Sequence, residues 1–164
     1  MLIFLKNKDT LQCDEFLFKC SVGKKGLTSQ KKEGDFKTPR GIFKFDSLYY
    51  RKDRIKKLKT KLKIIKINQR MGWSNDVRHP KLYNKLIKRN KKIKHEKMFR
   101  KDNKYDLVIP IKYNYNKIKV GKGSAIFLHL TKNYKPTAGC IALKKSDFLI
   151  LLRFIDQNSK IKII

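Results

Sequence analysis

The stretch at residues 121–143, GKGSAIFLHLTKNYKPTAGCIAL, decides the fold of this 164-residue chain and locates its chemistry. Residues 124–129 form an apolar run bounded by glycines, which predicts a buried strand. Residues 131–136 are polar and predict a turn, and residues 137–143 predict a second short strand. Two neighbouring strands joined by a loop of this length can bring the side chains near the loop together.

This arrangement places a histidine, His129, near a cysteine, Cys140. A thiol is an effective nucleophile only when a neighbour stabilises its thiolate or removes its proton, and imidazole is the commonest group for that task. Gly139 permits close approach of the backbone, and the N–H groups of Gly139 and Cys140 can face a developing oxyanion. The alternative is that Cys140 is an inert buried thiol and His129 a structural residue.

The residues around this pair resemble the active-site signature of the YkuD-type L,D-transpeptidase family, the catalytic domain that cross-links peptidoglycan. The signature is a histidine, a variable loop and Ser/Thr-x-Gly-Cys followed by an aliphatic residue, and it is matched by His129 and residues 137–141. Further stretches resemble a small, single-domain branch of the family and occur in the family's order: residues 33–43, 72–76, 83–84, 95–106 and 121–127.

The resemblance implies a cysteine acyltransferase. Cys140 would attack the carbonyl of a peptidoglycan stem peptide, His129 would act as the base, and an amine of a neighbouring stem peptide would resolve the thioester. A third group is expected to orient His129, but the sequence does not identify it; a backbone carbonyl would serve. Thr137 and Ala138 belong to the signature and are expected to contact the substrate.

Trp73 and Asp76 are further candidates for substrate contact, because their loop borders the substrate cleft in the family. The other interpretation makes Trp73, the only tryptophan, an anchor of the core or of the loop. Two positions differ from the family's pattern: Ala138 replaces a frequent histidine, and Ala142 replaces a frequent arginine that helps to organise the substrate or the site. A lysine that follows Ala142 can supply the charge of that arginine, but not its bidentate geometry.

Two other functions are open at this stage. One is a peptidoglycan hydrolase, a carboxypeptidase or endopeptidase, of the same fold. The other is a basic, non-enzymatic module that binds a polyanion, since 43 Lys+Arg against 13 Asp+Glu give a net charge of +30. An anionic wall polymer is therefore a possible partner. The basic runs at residues 51–70 and 85–101 carry aliphatic rather than aromatic residues, so we expect no specific nucleic-acid partner.

The cysteine and histidine pattern argues against a disulfide framework and a metal site. The three cysteines are an odd number, and no C-x-x-C spacing accompanies the three scattered histidines. We therefore expect no metal and no cofactor, and we expect a monomer.

The location of the protein is predicted differently by its sequence and by its family. No apolar segment approaches the about 20 residues that span a bilayer, and residues 1–5 lack the features of a signal peptide. The sequence alone therefore predicts the cytoplasm, whereas the resemblance implies the periplasm or cell envelope. Unconventional export, a truncated start and an intracellular role all remain open.

The pattern of elements predicts a single mainly β domain over residues 1–164, a curved β-sandwich or semi-barrel of the L,D-transpeptidase type. About two short helices are expected. One begins near Pro80, and the other follows Ser146, which is predicted to be its N-cap. The second helix has apolar residues at i, i+3, i+4 and i+7, namely Phe148, Leu151, Leu152 and Ile155.

Overall fold

The computed structural model describes all 164 residues as a mainly β protein. Fifteen strands follow one another along the chain: β1 (Leu2–Leu5), β2 (Thr10–Cys13), β3 (Phe16–Ser21), β4 (Leu27–Thr28), β5 (Thr38–Pro39), β6 (Gly41–Lys44), β7 (Leu48–Tyr50), β8 (Ile64–Lys66), β9 (Met71–Ser74), β10 (Leu86–Lys88), β11 (His95–Lys97), β12 (Leu107–Pro110), β13 (Phe127–Leu130), β14 (Ile141–Leu143) and β15 (Lys160–Ile163). The single helix, α1 (Lys145–Phe154), lies between β14 and β15.

Ten strands form one curled sheet, a half-barrel, in the order β6-β15-β1-β2-β3-β14-β13-β12-β7-β8. A three-stranded sheet, β10-β9-β11, and a two-stranded sheet, β4-β5, complete the fold. The predicted mainly β class is confirmed. The C-terminal strand β15 is inserted between β6 and β1, so the two ends of the chain are joined within one sheet.

The strands predicted around the histidine and the cysteine are neighbours at the centre of the large sheet. β13 and β14 pair in parallel, with His129 opposite Ala142, and β14 pairs antiparallel with β3, where Ala142 lies opposite Ser21. β13 begins at Phe127 rather than at residue 124, because Ala125 has a φ of 50°, in the left-handed region.

Side chains of these two strands alternate between two faces of the sheet, as the period of a strand requires. One face enters the main core of 25 buried residues, to which the strands contribute Leu128, Leu130, Ile141 and Leu143. The alternate residues lie on the opposite face, which we call the site face: Phe127, His129, Cys140 and Ala142. The histidine and the cysteine therefore share one face of the sheet.

The C-terminal helix packs its apolar stripe against the main core, as the sequence predicts. Its four spaced apolar residues are fully buried: Phe148, Leu151, Leu152 and Ile155. The predicted N-cap is wrong, because the first helical bond runs from the Phe148 N–H to the Lys144 carbonyl (2.9 Å), which places Ser146 inside the first turn. No helix has the length and apolarity needed to cross a bilayer.

The helix predicted near Pro80 is absent. The N–H groups of Leu82 and Tyr83 both donate to the His79 carbonyl at 3.0 Å, which makes a single turn. Asn84 then adopts a φ of 54°, and the chain enters β10, which pairs with β9. The long-range strand pairing replaces the local helix, so the fold has one helix rather than two.

A second, smaller cluster covers the site face. Trp73 of β9 packs edge-to-face on Phe127 of β13, with ring centroids 5.3 Å apart and planes at 86°. Tyr105 contacts Phe127 in the same manner at 5.7 Å. Cys140 and Met98 belong to this cluster. The three-stranded sheet therefore forms the cover of the region in which the cysteine lies.

Candidate active site

The thiol of Cys140 is held by two backbone groups. Cys140 directly precedes β14 and is 9% exposed. Its Sγ accepts the Phe127 N–H at 3.3 Å, and its S–H donates to the Ala125 carbonyl at 3.3 Å. The segment that enters β13 therefore fixes the position of the sulfur on the site face.

The imidazole of His129 is oriented by a backbone carbonyl, a partner that the sequence alone did not identify. His129 is 6% exposed, and its Nδ1 lies 2.9 Å from the carbonyl oxygen of Leu130. This contact assigns the proton to Nδ1 and leaves Nε2 as the acceptor. The ring also packs on Tyr105, with centroids 5.5 Å apart.

His129 and Cys140 are diagonal neighbours on the site face. His129 lies opposite Ala142, and Cys140 is two residues earlier on the same face. The predicted proximity is therefore present at the level of the strands. The thiol and the imidazole are not hydrogen-bonded to each other, because the thiol proton is donated to Ala125.

Burial keeps both groups neutral. Removal from water raises the pKa of the Cys140 thiol to about 12, although the Phe127 N–H acts in the opposite direction. Removal from water also lowers the pKa of His129 to about 4. The resting pair is therefore a neutral thiol and a neutral imidazole near pH 7.

The charges around the thiol have opposing effects. Glu96 raises the pKa of Cys140, whereas Lys31 and Lys104 lower it. Lys31 is buried and forms an ion pair with Asp35. Glu96 has no ion-pair partner, so its charge is free to act on the site.

The loop before Cys140 has the conformation that requires glycine. Gly139 has a φ of +140°, and a Cβ there would lie 2.9 Å from the backbone oxygen of Lys37. Its N–H donates to Thr137 Oγ1 (3.1 Å) in this structure, and its contact with an oxyanion stays a prediction. The Cys140 N–H donates to no protein acceptor and remains available.

The other signature residues divide by exposure. Thr137 is half-buried and donates its hydroxyl to the Cys140 carbonyl at 2.6 Å, which closes the loop. Ala138 is exposed and is the position of the loop that a ligand can reach.

Trp73 and Asp76 lie inside the protein, not on an open cleft. Trp73 is 3% exposed and donates its Nε1–H to Asn84 Oδ1 at 3.0 Å. Asp76 is 2% exposed and accepts the Lys94 N–H and the Arg78 guanidinium, which hold the pKa of its carboxyl below its usual range. The cover sheet buries both side chains in this structure, and their contact with substrate stays a prediction.

The sequence analysis assigned no role to Asn84, which the structure places in the support of the site. Asn84 Oδ1 accepts the Trp73 Nε1–H and the Ala125 N–H, both at 3.0 Å. The carbonyl oxygen of Ala125 in turn accepts a hydrogen bond from the S–H of Cys140. The side chain of Asn84 therefore connects the cover sheet to the backbone that holds the sulfur.

A half-buried carboxylate, that of Glu33, supports the same segment. Glu33 accepts the hydroxyls of Tyr83 and Ser124, the latter at 2.7 Å. The Tyr83 hydroxyl accepts the Gly123 N–H at 3.2 Å. Glu33, Tyr83 and Ser124 occur in the stretches that carry the family resemblance, so the resemblance was the one available signal for them.

The three cysteines are free, and no group of three or more His, Cys, Asp or Glu side chains is arranged to hold a metal ion. Cys13 and Cys20 are buried in the main core, away from the site face. They provide internal controls for the reactivity of Cys140.

Together, the fold and the site define a curled β domain in which a supported cysteine and an oriented histidine share one face. The family model of the L,D-transpeptidase catalytic domain, YkuD, matches residues 2–163. The chain belongs to this family.

A similar fold among the solved structures is the "Structure of Bdellovibrio bacteriovorus Bd1075". It has a TM-score of 0.51 and 14% sequence identity, over 99% of this chain and 47% of that chain. At this identity the similarity shows the fold alone, and the present chain spans about half the length of that chain. A comparison with curated proteins finds no match.

Proposed function

We propose that this protein is a cysteine acyltransferase that acts on peptidoglycan stem peptides, an L,D-transpeptidase with Cys140 as nucleophile and His129 as base. The observation that carries the proposal is the placement of Cys140. Its sulfur is bonded to the Phe127 N–H and the Ala125 carbonyl, on the face that also holds His129. Membership of the family supplies the substrate class.

The protonation states favour proton transfer during attack over a preformed ion pair. The thiol has a pKa of about 12 and the imidazole a pKa of about 4, so a thiolate–imidazolium pair is disfavoured at rest. Nε2 of His129 is the free acceptor, because Nδ1 is bonded to the Leu130 carbonyl. The thiol proton must leave Ala125 for Nε2 as the sulfur attacks.

Acylation forms one bond at the sulfur of Cys140 and breaks the C–N bond of the donor peptide. Sγ bonds to the carbonyl carbon of the donor peptide, and its proton passes to His129 Nε2. The oxyanion accepts the free N–H of Cys140, a contact typically worth about 3–4 kcal/mol. Collapse breaks the C–N bond, and His129 returns the proton to the leaving amine.

The thioester is resolved by a second amine. His129 accepts a proton from the attacking amine, the new amide forms, and the proton returns to Sγ. Water in place of the amine gives the hydrolase alternative with the same residues. A role on peptidoglycan places the proposed site of action in the periplasm or cell envelope.

The proposal is tested with purified disaccharide-tetrapeptide muropeptides and mass analysis of the products. We expect cross-linked dimers from the wild type, and none from Cys140→Ser or His129→Ala. Cys20→Ser is the matched control, since that thiol is buried in the main core. Shortened monomers without dimers would identify the hydrolase, and unchanged substrate would contradict both readings.

A further inference from the structure

The backbone N–H and C=O groups of Gly139 and Cys140 are paired inside the protein, with one exception. The Gly139 N–H donates to Thr137 Oγ1 at 3.1 Å, and the Cys140 carbonyl accepts the Thr137 hydroxyl at 2.6 Å. The Gly139 carbonyl accepts the hydroxyl of Thr38 at 2.8 Å. The Cys140 N–H alone has no protein acceptor. Buried N–H groups are almost always paired, so a free one on the residue that carries the thiol points to a ligand.

The direction in which this N–H points is tied to the carbonyl of Gly139. The two groups belong to one peptide bond, which is trans, so they lie on opposite sides of the same plane. Gly139 has no Cβ, and its own residue type therefore restrains the rotation of this plane only weakly. The hydrogen bond from Thr38 holds the carbonyl on one side and thereby turns the Cys140 N–H to the other side.

The hydroxyl of Thr38 is committed to this bond. Thr38 is fully buried, and its Oγ1 also accepts the Gly23 N–H at 2.9 Å. Because an N–H group can only donate and a carbonyl can only accept, the hydroxyl proton belongs to the Gly139 carbonyl. The Thr38 N–H donates to the Gly26 carbonyl at 2.9 Å, and Pro39 restricts Thr38 to an extended backbone. The donor is therefore in place before any substrate binds.

The segment that carries Thr38 packs directly on the backbone of two glycines. A Cβ at Gly23 would lie 2.5 Å from the backbone oxygen of Phe36 and 2.9 Å from the backbone nitrogen of Thr38. A Cβ at Gly139 would lie 2.9 Å from the backbone oxygen of Lys37. Both glycines thus allow residues 36–38 to approach the loop of the cysteine closely enough for the hydroxyl to reach it.

We propose that Thr38 is a positioning residue for the oxyanion. Its hydrogen bond to the Gly139 carbonyl holds the Cys140 N–H towards the oxygen that gains charge when the sulfur attacks. The inference rests on the proposed function and adds to it the side chain that preorganises the oxyanion contact. Thr38 itself touches no reacting atom, so it affects the rate of steps that form an oxyanion and no other reaction of the thiol.

The test compares two reactions of Cys140. Acylation by a carbapenem passes through a tetrahedral oxyanion, whereas alkylation by iodoacetamide displaces iodide at a saturated carbon and forms none. Thr38→Val keeps the shape of the side chain and removes the hydroxyl, and Thr38→Ser retains the hydroxyl. Thr60→Val is the matched control, since the Thr60 hydroxyl accepts the Leu62 N–H at 3.1 Å in the chain between β7 and β8.

We expect Thr38→Val to lower the rate of acylation at saturating carbapenem by about tenfold or more, since loss of a whole oxyanion donor costs about 10²–10³-fold. The apparent binding constant for carbapenem and the rate of alkylation should be unchanged. Thr38→Ser and Thr60→Val should react like the wild type. An equal loss in both reactions would mean that Thr38 only supports the fold and would overturn the proposal.

The hydrogen bond itself is tested by NMR, from the ¹³C chemical shift of the Gly139 carbonyl. We expect the same shift in the wild type and Thr38→Ser, and an upfield change in Thr38→Val, where the donor is lost. Thr38→Ala repeats both measurements with a smaller side chain, so the result does not depend on the folding of one variant. An unchanged carbonyl shift in the folded variants would overturn the proposal whatever the acylation rates are.

The wild-type rates separate this inference from the proposed function. An acylated wild type with an equal rate of acylation in Thr38→Val would contradict the role of Thr38 alone. No acylation of the wild type, with iodoacetamide still reacting at Cys140, would contradict the proposed function and with it any role of Thr38 in acyl transfer.

Discussion

Burial is the main cause of the raised pKa of the Cys140 thiol, and the charge of Glu96 adds to it. The side chain of Glu96 lies on the same face of β11 as Met98, two residues later, which is fully buried in the cluster that contains Cys140. Glu96 raises the pKa of the thiol and has no ion-pair partner. Glu96→Gln should therefore lower this pKa and increase the thiolate fraction at a given pH.

We expect Glu96→Gln to speed the alkylation of Cys140 by iodoacetamide about threefold, the usual scale for one partly screened charge. The rate is read from the mass of the peptide that contains Cys140. Glu15→Gln, an exposed residue between β2 and β3, is the control and should have no effect. An unchanged or slower rate in Glu96→Gln would contradict the electrostatic account.

His129 links stability to pH. Its pKa is about 4 in the folded protein, against an ordinary value of 6.5, because burial disfavours the charged imidazole. As pH falls from 6.5 towards 4, the unfolded chain binds a proton that the folded protein does not, so the free energy of unfolding decreases. The loss is on the order of 3 kcal/mol for this one group.

Replacement by a group that does not titrate removes this dependence. We expect His129→Gln to lose less stability than the wild type between pH 7 and pH 4.5, measured by urea unfolding at both pH values. The carboxyl groups titrate in both proteins, so the difference between them isolates His129. Parallel pH profiles would show that the buried imidazole is not held neutral.

At the scale of the elements, the support of the sulfur depends on Asn84. Asn84→Gly keeps the left-handed backbone but removes the acceptor of the Ala125 N–H, whereas Asn84→Asp retains that acceptor. We expect Asn84→Gly to be destabilised by about 2 kcal/mol, since it leaves buried donors unpaired. The rate at which Cys140 is acylated should also be lower in Asn84→Gly than in Asn84→Asp.

The measurement compares acylation rates by intact mass at a temperature where each variant is folded. Wild-type rates in Asn84→Gly would contradict a positioning role for this side chain, even if its stability fell.

The loop before β14 tolerates only glycine at position 139. In Gly139→Ala the new Cβ would lie 2.9 Å from the backbone oxygen of Lys37, at a φ of +140°. We expect a loss of about 2 kcal/mol or more in the free energy of unfolding, together with loss of acylation. Gly34→Ala is the matched control, because its φ of +75° has open space around it, and it should cost about 1 kcal/mol.

Local patterns in the sequence predicted the elements with strong apolar periodicity. The stripe of α1 and the apolar runs of β13 and β14 are of this kind, and each is buried where expected. The prediction of a helix near Pro80 was wrong because strand pairing of β10 with β9 overrides local propensity. The predicted start of β13 was too early because Ala125 adopts a positive φ that its residue type does not indicate.

The candidate site was predictable as a pair but not as a network. The spacing of His129 and Cys140 and the family resemblance brought both to attention. The hydrogen bonds that position the sulfur join residues far apart in the chain, such as Asn84 and Ala125, and no local pattern reveals them. The sequence left two interpretations of Trp73 open, because an aromatic residue in a loop and one under a cover sheet look alike in sequence, and the structure places it under the cover sheet.

The whole molecule carries a net charge of +30, and part of its basic sequence is structural. Arg51, in the first basic run, is 4% exposed, pairs with Asp53 and stacks on Phe99 with its guanidinium carbon 3.6 Å from the ring centroid. Arg54 pairs with Asp106 at 2.9 Å. The run is therefore not a free polyanion-binding surface along its whole length.

The remaining charge should destabilise the folded state by self-repulsion. We expect the urea midpoint to rise when NaCl is increased from about 20 mM to about 500 mM, since the Debye length then falls to roughly 4 Å. Urea is used because it is uncharged. A midpoint that falls with salt would mean that attractive ion pairs dominate over repulsion.

The identity of the nucleophile is tested most directly by intact-mass spectrometry after mixing the protein with a carbapenem. We expect one covalent adduct on the wild type, absent from Cys140→Ser and formed more slowly by His129→Ala. No adduct on the wild type, with Cys140 alkylated no faster than Cys13 or Cys20, would contradict this expectation and leave Cys140 as an ordinary buried thiol.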